Sequence, residues 1–153
     1  MNTKSPAAAK AVPVATPTTK PFWDATQTGE LRIQRCTACA KHFLYPRTHC
    51  PHCGSAKTEW VKVSGRARLY SYVISHMAAP GWEGEVPYVI AVVQLDEGPR
   101  MLSNLVGFPA DPAALILDTR LEVVFETRGN MTLPLFKAAD SSAAGSAGTG
   151  GRK

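Results

Sequence analysis

The sequence lacks any run of about 18 apolar residues, the length a bilayer-crossing helix needs. Its longest apolar-rich stretch, Tyr88 to Val93, is strand-sized. It also lacks an apolar N-terminal segment followed by a cleavage site, so no secretory leader is expected and the chain is read as cytoplasmic. No serine sits in a glycine-flanked elbow. Lys and Arg form no dense run of the kind that marks a nucleic-acid-binding tract. Outside the cysteine segment, His76 is the one histidine, at the end of a predicted strand with no visible partner. Asp96 and Glu97 precede Gly98-Pro99, which is turn chemistry rather than an acid/base pair. With neither a nucleophile nor a positioned base, a small self-sufficient enzyme is the weakest reading, and no catalytic residue is assigned.

The net charge of +5 is unevenly placed. Residues 1–20 hold Lys4, Lys10 and Lys20 with no acid, and residues 30–60 hold five basic and two acidic residues. Residues 61–137 hold seven basic and eight acidic, a net of −1. The positive charge therefore lies in the leader and the cysteine segment. That suits a polyanion there, either nucleic acid or the phosphates of a nucleotide-like ligand, or else an ordinary solvated surface.

Residues 1–20 are rich in Ala, Pro, Thr and Lys and cannot bury enough apolar surface to offset ordering, so a disordered leader is expected. Residues 138–153, rich in Ala, Ser and Gly, read as a disordered tail. Between them, residues 21–60 form one unit and 61–137 another. Residues 21–30 predict a short helix, with Pro21 in its first turn and Gly29 as its cap. Leu31 to Arg35 alternates as a strand, and Thr58 to Val63 reads as a second.

From Ala67 the pattern is β. Ala67 to His76, Tyr88 to Asp96, Arg100 to Val106, Leu121 to Thr127 and Leu133 to Phe136 predict five strands. The apolar run at Tyr88 predicts a strand buried on both faces or at a barrel turn. A longer connection separates Val106 from Leu121, with room for one helical turn or an irregular crossover. Five strands and no long helix fit a mainly β chain built on the five-stranded OB-fold barrel. An SH3-like barrel or a small sandwich also fits the pattern.

All four cysteines fall in one segment, as Cys36-Thr-Ala-Cys39 and Cys50-Pro-His-Cys53. A CxxC turn points both sulfurs at one centre, and two such turns on facing hairpins make the tetrahedral four-thiolate site zinc prefers. Gly54 supplies the left-handed turn after the second pair, whereas Ala40 stands where the first pair would have its glycine. The other readings are rubredoxin-type iron on the same ligands, a redox pair, two disulfides, or a mixed site using His42, His49 or His52. Four thiolates close the coordination shell, so the predicted metal, held by Cys36, Cys39, Cys50 and Cys53, is structural.

Taken in order, the Phe22-Trp23 helix, GELRIQRCTACAKHFLYPRTHCPHCGS, WVKVSGRARLYSYVISH, PYVIAVVQLDEGPRMLSNLVG, LEVVFE and TLPLFK cover most of 21–137. This order resembles the acyl-CoA-associated OB-fold family that carries an N-terminal rubredoxin-like zinc ribbon. Leu117-Asp118 departs from it, standing where the family tends to have a glycine turn. The resemblance implies one structural Zn2+ per chain and a non-catalytic accessory subunit. Its expected partners are thiolase-like enzymes, hydroxymethylglutaryl-CoA synthases, hot-dog hydratases or retro-aldolases, in hetero-oligomers that process an acyl-CoA ester. The bond chemistry then belongs to the partner, while this chain supports it and helps guide the CoA ester.

Surface residues are assigned on weaker grounds. Trp82, in the long loop from Met77 to Pro87, is either an interface anchor or a cover for a barrel edge. Phe22 and Trp23 either pack on their own barrel or enter a partner's groove. Lys41 and Arg47, with Arg35 and Lys57, are candidates for the phosphates of a CoA ester. The rival reading is a single-strand-binding module, favoured by Tyr70 and Tyr72 placed on one strand face and opposed by the acidic barrel half.

Overall fold

The computed structural model describes residues 9–140 of the chain. Helix α1 (Lys20–Gln27) is followed by β1 (Arg32–Cys36), β2 (His42–Phe43) and β3 (Thr58–Lys62), which form a small antiparallel sheet in the order β2-β1-β3. Then come β4 (Arg66–Ser75), β5 (Tyr88–Leu95), β6 (Arg100–Asn104), β7 (Arg120–Arg128) and β8 (Met131–Ala138). Their order in the second sheet is β6-β5-β4-β7-β8. The ends of that sheet come together. Leu105 bridges to Phe136 in parallel, the Val106 amide donates to Phe136 O at 2.9 Å, and Ser103 Oγ donates to Pro134 O at 2.8 Å. Five antiparallel strands curled to near closure in this order are an OB-fold barrel.

The helix forms where expected but begins one residue earlier, at Lys20, with Pro21 in its first turn, where the missing N–H costs nothing. Gly29 follows it at φ 75°, a conformation open to glycine. One face of α1 is buried: Phe22 enters the main core, and Thr26, fully enclosed, donates its hydroxyl to Thr132 O at 2.8 Å on β8. The base of the ribbon, Leu31 and Ile33, belongs to the same core as the barrel residues Leu69, Val93, Leu121 and Phe136. Cys36, Phe43 and Cys50 form a separate, very small cluster at the far end.

Three expectations change. Strand β5 alternates, with Val89, Ala91, Val93 and Leu95 buried and the residues between them half-buried. Its sequence looks uniformly apolar because the outward residues Tyr88 and Ile90 line a cavity rather than face open water. In β4 a bulge between Leu69 and Ser71 shifts the register. A one-residue slip reverses which face the next side chains take. Tyr72 then packs toward the core and pairs with Ala91, while Tyr70 stays exposed, so the two tyrosines do not share a face.

The third change concerns the leader. Residues 1–8 lie outside the described residues, but residues 9–19 run along the barrel. Lys10 pairs with Glu85 and stands 4.0 Å over the Trp82 ring. These local charge and aromatic contacts give the segment partners that its composition does not reveal. At the other end, Ala138 closes β8 and the Ala139 amide donates to Arg120 O; the tail from 141 lies outside the described residues. No helix among the described residues is long and apolar enough to cross a membrane.

Candidate functional site

The two CxxC turns sit at the tip of the ribbon sheet. Cys36 ends β1, and its amide donates to Lys41 O at 2.9 Å, closing the first turn. Ala40 lies between them at φ 61°, in the left-handed region the sequence would have assigned to glycine. In the second turn the Gly54 amide donates to Cys50 O, and the His52 amide donates to Cys50 Sγ at 3.4 Å. The sulfurs of Cys36 and Cys53 are 3.6 Å apart, those of Cys39 and Cys50 3.7 Å, and all four lie within 4.8 Å of one another.

A tetrahedral zinc with bonds of ~2.3 Å has sulfur–sulfur edges of about 3.8 Å, so this donor set fits the ion. Its chemistry there is charge neutralisation and cross-linking, and four thiolates leave no coordination position for a substrate. The Cys39 amide holds the Cys36 thiol down at about 7. At Cys53 the Ser55 amide lowers the thiol, but the hydrogen bond with Cys36, burial, and the sulfurs of Cys39 and Cys50 outweigh it and push it up to about 12. Four thiolates do not share this space without a cation. Two of the three nearby imidazoles are engaged elsewhere: the His52 ring nitrogen lies 3.4 Å from the backbone His42 O, and His49 Nδ1 pairs with the Thr48 hydroxyl.

The other predicted residues separate into two places. Phe22, Trp23 and Trp82 all line an apolar cavity of about 400 Å³ between α1, the Leu44–Pro46 segment and the barrel. Phe22 is buried in the chain's own core, with Trp23 edge-on to it at 4.9 Å. Trp82 folds back rather than standing free. It lies 4.4 Å from Tyr88, with Lys10 and Arg128 near its ring. Lys41 and Arg47 line a second, open cleft of about 780 Å³ between the ribbon and the β5–β6 turn. Leu44 is a wall of both. Arg35 is instead paired with Glu59 at 3.0 Å, and Lys57 does not line the cleft.

Two residues of these sites were not singled out from the sequence. Arg100 joins Lys41 and Arg47 in the cleft. Tyr45 accepts a hydrogen bond from the Leu102 amide at 3.2 Å, tying the ribbon to β6. Neither belongs to a motif, and only the folding of ribbon onto barrel brings them to these places. At the turn that the sequence marks, Asp96 takes both terminal nitrogens of Arg120 at 2.9 and 2.7 Å, and Glu97 Oε1 accepts the Ser64 amide at 2.8 Å. His76 is exposed and has no hydrogen-bond partner among the described residues.

Fold and site together define a class of protein: a four-thiolate zinc ribbon joined to an OB-fold barrel. Residues 23–59 match the rubredoxin-like zinc ribbon domain of ChsH2, and residues 60–126 match the ChsH2 C-terminal OB-fold domain. The chain belongs to this ChsH2 family of zinc-ribbon OB-fold proteins.

Similar proteins include a probable enoyl-CoA hydratase alpha subunit of Thermomonospora curvata, 39% identical over 77% of this chain. The match spans only 37% of that longer protein. A DUF35 domain-containing scaffold protein of Methanothermobacter thermautotrophicus is 34% identical over 60% of this chain and 68% of its own length. Among solved structures, a chain of the Ltp2-ChsH2(DUF35) aldolase is 32% identical, with a TM-score of 0.74, covering 83% of this chain and 98% of that one.

Proposed function

We propose that this chain is a non-catalytic accessory subunit of an acyl-CoA-processing enzyme, cytoplasmic, with a thiolase- or retro-aldolase-type partner. One observation carries the reading: the structural likeness, over 83% of this chain and 98% of the other, to a chain of the Ltp2-ChsH2(DUF35) aldolase. The site chemistry agrees with it. The thiolates are placed to close on a structural zinc, and Asp96 is paired with Arg120. The chain contributes a rigid platform, and the apolar cavity and basic cleft beside it help guide the CoA ester. Carbon–carbon bond chemistry belongs to the partner's own residues.

The test is a pull-down from the native host, followed by co-expression with the enzyme recovered. A thiolase-, aldolase- or hydratase-type partner whose turnover of acyl-CoA requires this chain supports the reading. A partner that stays soluble and fully active without it overturns the reading, as does recovery of nucleic-acid machinery alone.

A further inference from the structure

Most basic side chains among the described residues are matched by a carboxylate. Lys10, Lys20, Arg32, Arg35, Lys62, Arg68, Arg120, Arg128 and Lys137 each have an ion pair. Lys41, Arg47, Lys57, Arg66 and Arg100 have none among the described residues, and three of these five, Lys41, Arg47 and Arg100, line one cleft. Glu97 is the one acid in its lining; its Oε1 accepts the Ser64 amide, and its Oε2 is enclosed with no partner among the described residues.

Arg100 is held at its side chain, and Arg47 and Lys41 at their backbones. Arg100 stacks on Tyr70, its Cζ 3.6 Å from the ring centroid, and its Nε donates to Gln94 Oε1. Gln94 is itself fixed through Nε2 to Gly98 O at 2.8 Å. This leaves the terminal nitrogens of Arg100 free to donate outward. Arg47 is pinned at both backbone groups by the buried Gln34: its amide donates to Oε1 at 2.7 Å, and its carbonyl accepts from Nε2 at 2.9 Å. Lys41 closes the first metal turn through its carbonyl. Three unpaired cations against one carboxylate leave the cleft net positive, which is what a multiply charged anion requires.

We propose that this cleft binds the phosphorylated nucleotide head of a CoA ester, with Lys41, Arg47 and Arg100 as its phosphate contacts. The proposal rests on the acyl-CoA reading above and gives it a location. Leu44 forms a wall of both the cleft and the apolar cavity, so a ligand with a polyanionic head and an apolar tail meets matching surfaces on either side of one residue. Because Lys41 and Arg47 lie between the two cysteine pairs, the metal that orders the ribbon also orders the cation array.

The test is calorimetric titration of the full zinc-loaded chain, alone and with its co-purified partner, using 3′-phosphoadenosine 5′-diphosphate, CoA and a single-stranded oligonucleotide. Saturable binding of the nucleotide that weakens with added salt is expected. K41Q, R47Q and R100Q should each weaken it about tenfold, as expected for lost charge-assisted hydrogen bonds. K57Q, an unpaired lysine off the cleft, should leave it within about twofold. Zinc content and the circular dichroism spectrum report that each variant is folded. Absence of nucleotide binding in both preparations overturns the proposal. So does unchanged affinity in the triple variant, or tighter binding of the oligonucleotide at the same residues. Partner recovery is scored separately. A subunit that assembles but binds no nucleotide sinks this proposal alone, and one that binds nucleotide but recovers no acyl-CoA enzyme sinks the reading beneath it.

Discussion

Among the described residues, two non-glycine residues occupy the left-handed region, Ala40 at φ 61° and Asp118 at φ 64°. Both stand where a glycine would be expected. Asp118 is the easier case, since a short polar side chain tolerates this conformation, and its amide donates to Leu69 O at 2.8 Å. Ala40 has no such help. Replacing Ala40 with Gly should stabilise the first metal turn by about 0.5–1 kcal/mol, after the extra entropy of glycine in the unfolded chain is subtracted. Thermal unfolding and competition with a zinc chelator both read this, and an unchanged or lower midpoint would count against it.

A second residue-scale effect is electrostatic. The Arg120 guanidinium holds the Asp96 carboxyl below its ordinary value against the opposing cost of burial. A depressed folded value means that the pair's stabilisation is fully present above the unfolded carboxyl pKa of about 3.9 and is lost as pH falls through the lower, folded one. The pair is partly exposed and screened by solvent, so its contribution is about 0.5–1 kcal/mol. A carboxyl-carbon NMR titration should place the Asp96 midpoint below about 3.9, and D96N should flatten the acid limb of the stability curve.

At the scale of elements, most of the order was legible. The helix is marked by Pro21 and Gly29, and the strands by their alternation and their turn residues. What escaped was any feature set by a partner element. The β4 bulge depends on the register with β5, not on the residues of β4 alone, so Tyr70 and Tyr72 could not be assigned to faces in advance. The half-buried outer face of β5 depends on the cavity it lines. The two-residue β2 is too short to carry a period of its own. Tyr45, which no sequence pattern singles out, ties the ribbon to the barrel through the Leu102 amide. Y45F should cost about 1 kcal/mol, the net worth of one hydrogen bond. It should also speed hydrogen exchange at the Leu102 amide while leaving the β7 amides unchanged; protection at Leu102 equal to the parent chain's would show that the hydroxyl carries no weight.

For the whole molecule, stability is divided unequally. The barrel, α1 and the base of the ribbon share one core, whereas the tip has only Phe43 and the sulfurs themselves. The tip buries too little to order itself, so metal-binding energy, on the order of 10 kcal/mol in small zinc modules, is its folding energy. Chelation should therefore release residues 37–57 while strands β4–β8 keep their protected amides, read by hydrogen exchange with and without chelator. Loss of barrel protection at the same chelator concentration would contradict a divided core. The metal site was readable because its ligands are adjacent in sequence and obey a fixed spacing. The basic cleft was half readable, since Lys41 and Arg47 are close in sequence but Arg100 arrives from another strand.

Strand β6 ends the open side of the barrel sheet, yet its outer margin is occupied. The Tyr45 hydroxyl takes the Leu102 amide, Ser103 reaches Pro134 O, and Leu105 is bridged to Phe136. An enzyme docking at this β6 edge therefore finds the Leu102 amide already taken, which disfavours extending the sheet from there. Recognition there runs chiefly through side chains laid against side chains. Such a contact can be retuned by point substitutions, so different enzymes can be matched to one barrel without redesigning its backbone.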